Sequence, residues 1–162
     1  KALFPGLRLG SAGVPRSLLK SVVTARYIVD RQPSSVAQAV IASFIDEGHF
    51  TAHLRRMRLQ YREQRDALAA ALRQQLGSNL TLDPPDQGMH LVAYLRRGLS
   101  DVGIERAARE HGVIVRAMSK LYVQAPPKSA LMMGFSGYPL RVIPAAVTQL
   151  AKAVSNTQPE RI

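Results

Sequence analysis

Lys1-Ala-Leu-Phe-Pro-Gly-Leu-Arg-Leu-Gly10 opens the chain and decides its reading. A lysine comes first, and Arg8 follows seven positions later with Pro5-Gly6 between them. Proline removes a backbone donor and glycine relaxes φ, so the stretch is a poor helix and a poor long strand. It reads as a structured loop that aims two cations into one space. A lysine amine forms an imine with an aldehyde, and a guanidinium fork holds a phosphate. One cofactor needs both at short range: pyridoxal phosphate, which is bound through a lysine and serves as an electron sink.

Outward from this loop the pattern turns helical. Leu18, Leu19, Val22 and Val23 recur at helical spacing and predict a helix over about Ser17–Val29, broken by Asp30-Arg31-Gln32-Pro33. Ser35 with Gln38 has the form of a capping box, and Ala37, Val40, Ile41 and Phe44 line one face of a second helix that Gly48 stops. Thr51 is positioned to cap the longest helix, about Ala52–Leu76, with Leu54, Met57, Tyr61, Leu68 and Leu72 as its apolar stripe. Gly77 to Gly88 reads as loop. Strands are expected at Met89–Leu95, Val113–Arg116 and Leu131–Ser136, with a short helix Asp101–His111 capped by Ser100. A last helix starts near Ile143, with Pro144 in its first turn. This order gives helices first, then a small α/β layer with helices on one face of a short sheet.

Composition bounds what such a chain can do. At 162 residues with 46% hydrophobic content, it holds one domain's worth of sequence and can bury a core. No apolar run reaches membrane-spanning length, so no membrane role is expected. Cysteine is absent, which excludes disulfides and thiolate metal sites and suits a cytoplasmic setting. The net charge of +11, from 22 basic and 11 acidic residues, favours nucleic acid, acidic surfaces or phosphorylated ligands without choosing among them. His49, His53, His90 and His111 have no carboxylates at zinc-site spacing, so no metal is expected. Arg55, Arg58, Arg62 and Arg65 form a second stripe on the long helix. They could follow a phosphate backbone, or pair with residues such as Glu63 and Asp66.

The Lys1-x6-Arg8 segment resembles the cofactor-lysine segment of fold-type I aminotransferases. Glu47-Gly48-His49-Phe50, His53-Leu54-Arg55-Arg56-Met57-Arg58, Tyr61-Arg62 and Arg65-Asp66-Ala67-Leu68 narrow the match. With Gly112-Val113-Ile114-Val115 and Leu131-Met132-Met133-Gly134-Phe135-Ser136, they resemble the aminotransferase-like domain of MocR-type regulators in the GntR superfamily. The resemblance implies an α/β fold, the C-terminal portion of a pyridoxal-phosphate-dependent transferase (fold type I) domain. Residues 1–70 would be the helical end of the large cofactor domain with the long connecting helix, and 71–162 the small α/β domain. It also implies a fragment whose upstream portion is missing, and the start at lysine rather than methionine fits processing or excision.

For the site, the resemblance implies Lys1 as the catalytic and cofactor-binding lysine and Arg8 as the phosphate-binding arginine. If Lys1 is a true N-terminus, its α-amine, with a pKa of roughly 7.7–8 against about 10.4 for the side chain, competes with it. Many aminotransferases carry Arg-Leu-x-Phe in the strand before the last helix. Here Met132-Met133-Gly134-Phe135 stands there, so the fork for a substrate carboxylate is absent and ordinary transamination is in doubt. Arg116 is the substitute candidate. The implied function is a sensor: pyridoxal 5'-phosphate and a small amine or amino-acid effector are bound here. DNA is bound by a missing N-terminal winged helix rather than by this segment, and the molecule is a homodimer. The rivals are a free-standing class I/II aminotransferase and a small basic nucleic-acid-binding domain.

Overall fold

The computed structural model describes residue 3 and residues 9–31, 34–124 and 128–157. It divides into two units, 1–57 and 58–162.

The first unit is helical. Helix α1 spans Arg16–Asp30 and ends at Arg31, whose positive φ of 55° lets its amide donate to the Tyr27 carbonyl. Helix α2 spans Ser35–Asp46. Its cap is Ser34, not Ser35: the Ser34 Oγ accepts from the Ala37 amide at 3.3 Å. Ser34 has an extended ψ of 116°, the backbone shape a cap requires, whereas Ser35 is already helical. Gly48 closes α2 as expected, with φ of 79° and its amide on the Ile45 carbonyl. It also opens the next helix. Helix α3, His49–Leu76, begins at once, and the Gly48 carbonyl accepts from the Ala52 amide. The expected start at Thr51 is therefore three residues late, because one glycine both ends α2 and starts α3. At this corner the His49 ring lies 5.6 Å from Phe44, and its Nε2 is 3.2 Å from the Glu47 carboxylate. His49 thus meets a carboxylate.

The second unit contains the rest of α3 and a four-stranded antiparallel sheet in the order β1-β2-β4-β3. The strands are β1 Leu80–Leu82, β2 His90–Leu95, β3 Arg116–Ala117 and β4 Ala130–Gly134. Helix α4 spans Asp101–Glu110 and α5 spans Ile143–Asn156. Short 3₁₀ turns stand at Met118–Leu121 and Leu140–Val142. Strand β1 lies in a stretch that reads as loop, since three residues are too few to show alternation. Its pairing partner β2 supplies the order, with Leu80 opposite Leu95 and Leu82 opposite Ala93. The strand expected at Val113–Arg116 begins only at Arg116. The Val113 amide is taken by the Ala108 carbonyl at 2.9 Å, so these residues finish α4 before they can pair.

Side chains alternate across each strand. Leu91, Ala93 and Leu95 of β2, Leu131 and Met133 of β4 and Ala117 of β3 form the buried face. Leu68, Leu72 and Leu76 of α3, Ile104 and Ala108 of α4, and Val147, Leu150 and Val154 of α5 complete one core with this face. The helices therefore cover one side of the sheet. Asp101 ties the layers together. Although 2% exposed, its carboxylate accepts from the Ser119 amide (2.9 Å), the Ser119 hydroxyl (2.8 Å) and the Ala130 amide (3.4 Å). Ser100 caps α4 as its sequence suggests, accepting from the Gly103 amide at 3.3 Å. No helix among the described residues is long and apolar enough to cross a membrane.

Candidate functional site

The sheet's second face carries the candidate residue Arg116. The register places Val92, Met132 and Arg116 in one row across β2, β4 and β3, and His90 opposite Gly134 in the next. Directly opposed residues of antiparallel strands point the same way, with Cβ atoms about 4.5–5.5 Å apart. Arg116 and Met132 are thus immediate neighbours on the face turned away from α4 and α5.

Arg116 is exposed, and no hydrogen bond or ion pair to another described residue engages it. Its guanidinium is available to an incoming anion. Met132 and Val92 are half-buried and give the row an apolar floor. Gly134 has a role that its sequence position does not reveal. A Cβ built there would stand 3.7 Å from His90 Cδ2 and 3.8 Å from Nε2, so the imidazole lies over the bare glycine. Sequence reasoning left His90 aside because a lone histidine in a strand gives no hint of its neighbour across the sheet. The signal that could have found it is the pairing of a strand-edge histidine with a glycine, and this becomes visible only once register is known.

Lys1 and Arg8 lie outside the described residues. Among the described residues no group of three or more His, Asp or Glu side chains could hold a metal ion. The arginine stripe of α3 splits by partner. Arg65 is held by Asp66 and by the Pro85 carbonyl, as the ion-pair alternative expects for that residue, whereas Arg58 and Arg62 are exposed.

The family match and the solved structures show that this short antiparallel sheet, with helices on one side and a long helix leading into it, is the C-terminal portion of a fold-type I pyridoxal-phosphate-dependent transferase domain. The model of the family described as aminotransferase class I and II matches residues 2–149, and the chain belongs to that family. It is 36% identical over 153 residues to the probable rhizopine catabolism regulatory protein MocR of Rhizobium meliloti, covering 94% of this chain and 31% of that protein. The uncharacterized HTH-type transcriptional regulator YhdI of Bacillus subtilis (strain 168) is 29% identical over 137 residues, covering 85% of this chain and 29% of that protein. Among solved structures, the chain is similar to LysN, an α-aminoadipate aminotransferase from Thermus thermophilus complexed with N-(5'-phosphopyridoxyl)-L-leucine. The TM-score is 0.84 at 26% identity, covering 93% of this chain and 39% of that one. The chain spans about a third of the length of the curated relatives it matches. Membership in this family replaces the alternative of an unrelated basic nucleic-acid-binding domain.

Proposed function

We propose that this chain is the C-terminal part of a pyridoxal-phosphate-binding, aminotransferase-like sensor domain in a MocR-type regulator of the GntR superfamily. The observation that carries this reading is the similarity to MocR along 94% of the chain. The donor set fits the cofactor by its chemistry: Lys1 offers a primary amine for an aldehyde, and Arg8 a guanidinium for a phosphate. When bound, pyridoxal phosphate supplies an aldehyde that captures amines and a ring that withdraws electrons from them. Lys1 would hold the aldehyde end of the cofactor through its amine, and Arg8 would hold the phosphate end.

Arg116 takes the part of the carboxylate fork that Met132 cannot supply. It stands one strand over from Met132 on the same face, so a carboxylate is held from a displaced point. That displacement favours recognition of a small amine or amino-acid effector over efficient turnover, and any transaminase activity is vestigial. The effector acts by binding one arrangement of the domain more tightly than another, which is the only way a ligand shifts a conformational equilibrium. DNA is bound by a winged helix elsewhere in the intact protein, which works as a cytoplasmic homodimer.

The test is borohydride reduction of the intact, cofactor-loaded protein followed by peptide mass spectrometry. A phosphopyridoxyl adduct on the Lys1 peptide, lost in Lys1→Ala, is expected. An adduct that survives the substitution refutes the lysine assignment. A free-standing aminotransferase is the second reading, favoured by the similarity to LysN. Steady turnover of an amino acid with a 2-oxo acid, abolished by Arg116→Gln, would establish it over the sensor.

A further inference from the structure

Arg58, Arg62 and Arg65 follow one another at four- and three-residue spacing, so they share one face of α3. With Tyr61 they wall a cleft of about 830 Å³ that the Pro85–Gly88 turn closes on its far side and the buried Phe135 floors. Two kinds of arginine line it. The Arg65 side chain is 17% exposed, with Nη2 2.8 Å from the Asp66 carboxylate and Nη1 donating to the Pro85 carbonyl at 2.9 Å. It is a strut that holds the turn against the helix. Arg58 and Arg62 are exposed and make no hydrogen bond or ion pair to another described residue.

The free pair has no structural use to explain it. Like charges one helical turn apart repel. The carboxylate placed to relieve Arg62, Asp66 four residues on, is turned to Arg65 instead. The remaining acid at the cleft is Asp86, whose side chain is fully exposed at the rim, 3.8 Å from Arg65 Nη1. Three guanidinium groups therefore face a single rim carboxylate across a cleft that also holds a phenol. Two unengaged planar forks and a phenolic O–H offer several donors to one small volume. A group with two negative charges and several acceptor oxygens satisfies them better than a monocarboxylate, whose two oxygens engage one fork.

We infer that the Arg58–Arg62 cleft is a binding site for a phosphate group, separate from the cofactor phosphate assigned to Arg8. Arg58 and Arg62 grip the phosphate oxygens, Tyr61 donates to one of them, and Arg65 fixes the wall they work against. The phosphate belongs either to a small phosphorylated molecule or to a nucleic-acid backbone.

The test uses the intact protein loaded with its cofactor and titrated calorimetrically with inorganic pyrophosphate at constant ionic strength. The double variant Arg58→Gln/Arg62→Gln should weaken binding at least tenfold. Arg55→Gln should leave it within twofold. Because both cleft residues are exposed, matched thermal unfolding curves verify that the double variant is folded. Unchanged affinity in the double variant overturns the inference. So does equal loss in Arg55→Gln, which makes it diffuse charge. A duplex of arbitrary sequence decides the source. Displacement of the duplex by pyrophosphate, with a shallower salt dependence in the double variant, assigns the site to a nucleic-acid backbone. Pyrophosphate binding that needs both arginines while the duplex is not displaced assigns it to a small phosphorylated molecule.

Discussion

Helices α1 and α5 are nearly equal in length, at 15 and 14 residues, and both show apolar residues at helical spacing. Their fates differ. In α5, Ile143, Val147, Leu150, Ala153 and Val154 are all buried against the sheet and its neighbouring helices. In α1, Leu18, Leu19, Val22, Val23, Tyr27, Ile28 and Val29 are between 44% and 83% exposed. Periodicity is a property of one segment, whereas burial needs a partner layer. The second unit supplies that layer from its own residues. The described residues of the first do not, and relatives about three times as long have room for one.

The largest expected effect tests this contrast directly. Leu150→Ala should destabilise the 162-residue chain by about 3 kcal/mol, since a fully buried leucine leaves a cavity as well as losing transfer energy. Val23→Ala should cost less than about 0.5 kcal/mol in the same urea titration. A comparable cost at Val23 would break the comparison and mean that α1 is covered, for instance by a second copy of the chain.

Asp101→Ala comes next, at about 2–3 kcal/mol. It removes the acceptor for the Ser119 and Ala130 amides, and buried unpaired donors are expensive. Asp101→Asn keeps one acceptor oxygen and should recover part of the loss in the urea midpoint. Full recovery would show that the carboxylate's charge contributes nothing and that hydrogen-bond count alone sets the effect.

Much of this architecture was legible before any coordinates. The α5 stripe, the Ser100 cap and the Gly48 stop are local signals, each decided by a few adjacent residues, and each stands where its residues place it. What was not legible depends on partners distant in sequence. Strand β1 exists because β2 pairs with it, and β3 starts late because α4 takes the Val113 amide. The site divides in the same way. The sequence proposes Lys1 and Arg8, which lie outside the described residues, while the Arg116–Met132 row and the His90 ring over Gly134 required the register of the sheet.

A smaller effect sharpens the reading of the first unit. Ser34→Ala should lower amide-exchange protection in the first turn of α2 by about 1 kcal/mol, the usual worth of an N-cap, while Ser35→Ala should change little. The reverse order would restore the box at Ser35 and Gln38.

The smallest effect concerns pH and belongs to the second unit. A hydrogen bond from Lys120 holds the Glu105 carboxyl below its ordinary value, against the opposing pull of partial burial, with the charge of Lys120, the Ala117 backbone and Arg109 adding to the lowering. A carboxylate more acidic in the folded state stabilises that state fully above its unfolded pKa. The contribution fades as pH falls below 4.5 and through the lower folded value. The pair reaches across from α4 to the turn after β3, and its lysine is half exposed, so solvent screening keeps its worth to about 0.5 kcal/mol. Lys120→Met should therefore be less stable than the parent chain near pH 7 and converge with it below about pH 4. If the gap stays constant across that range, the lysine acts through its aliphatic stem, and the pH dependence of the second unit resides elsewhere.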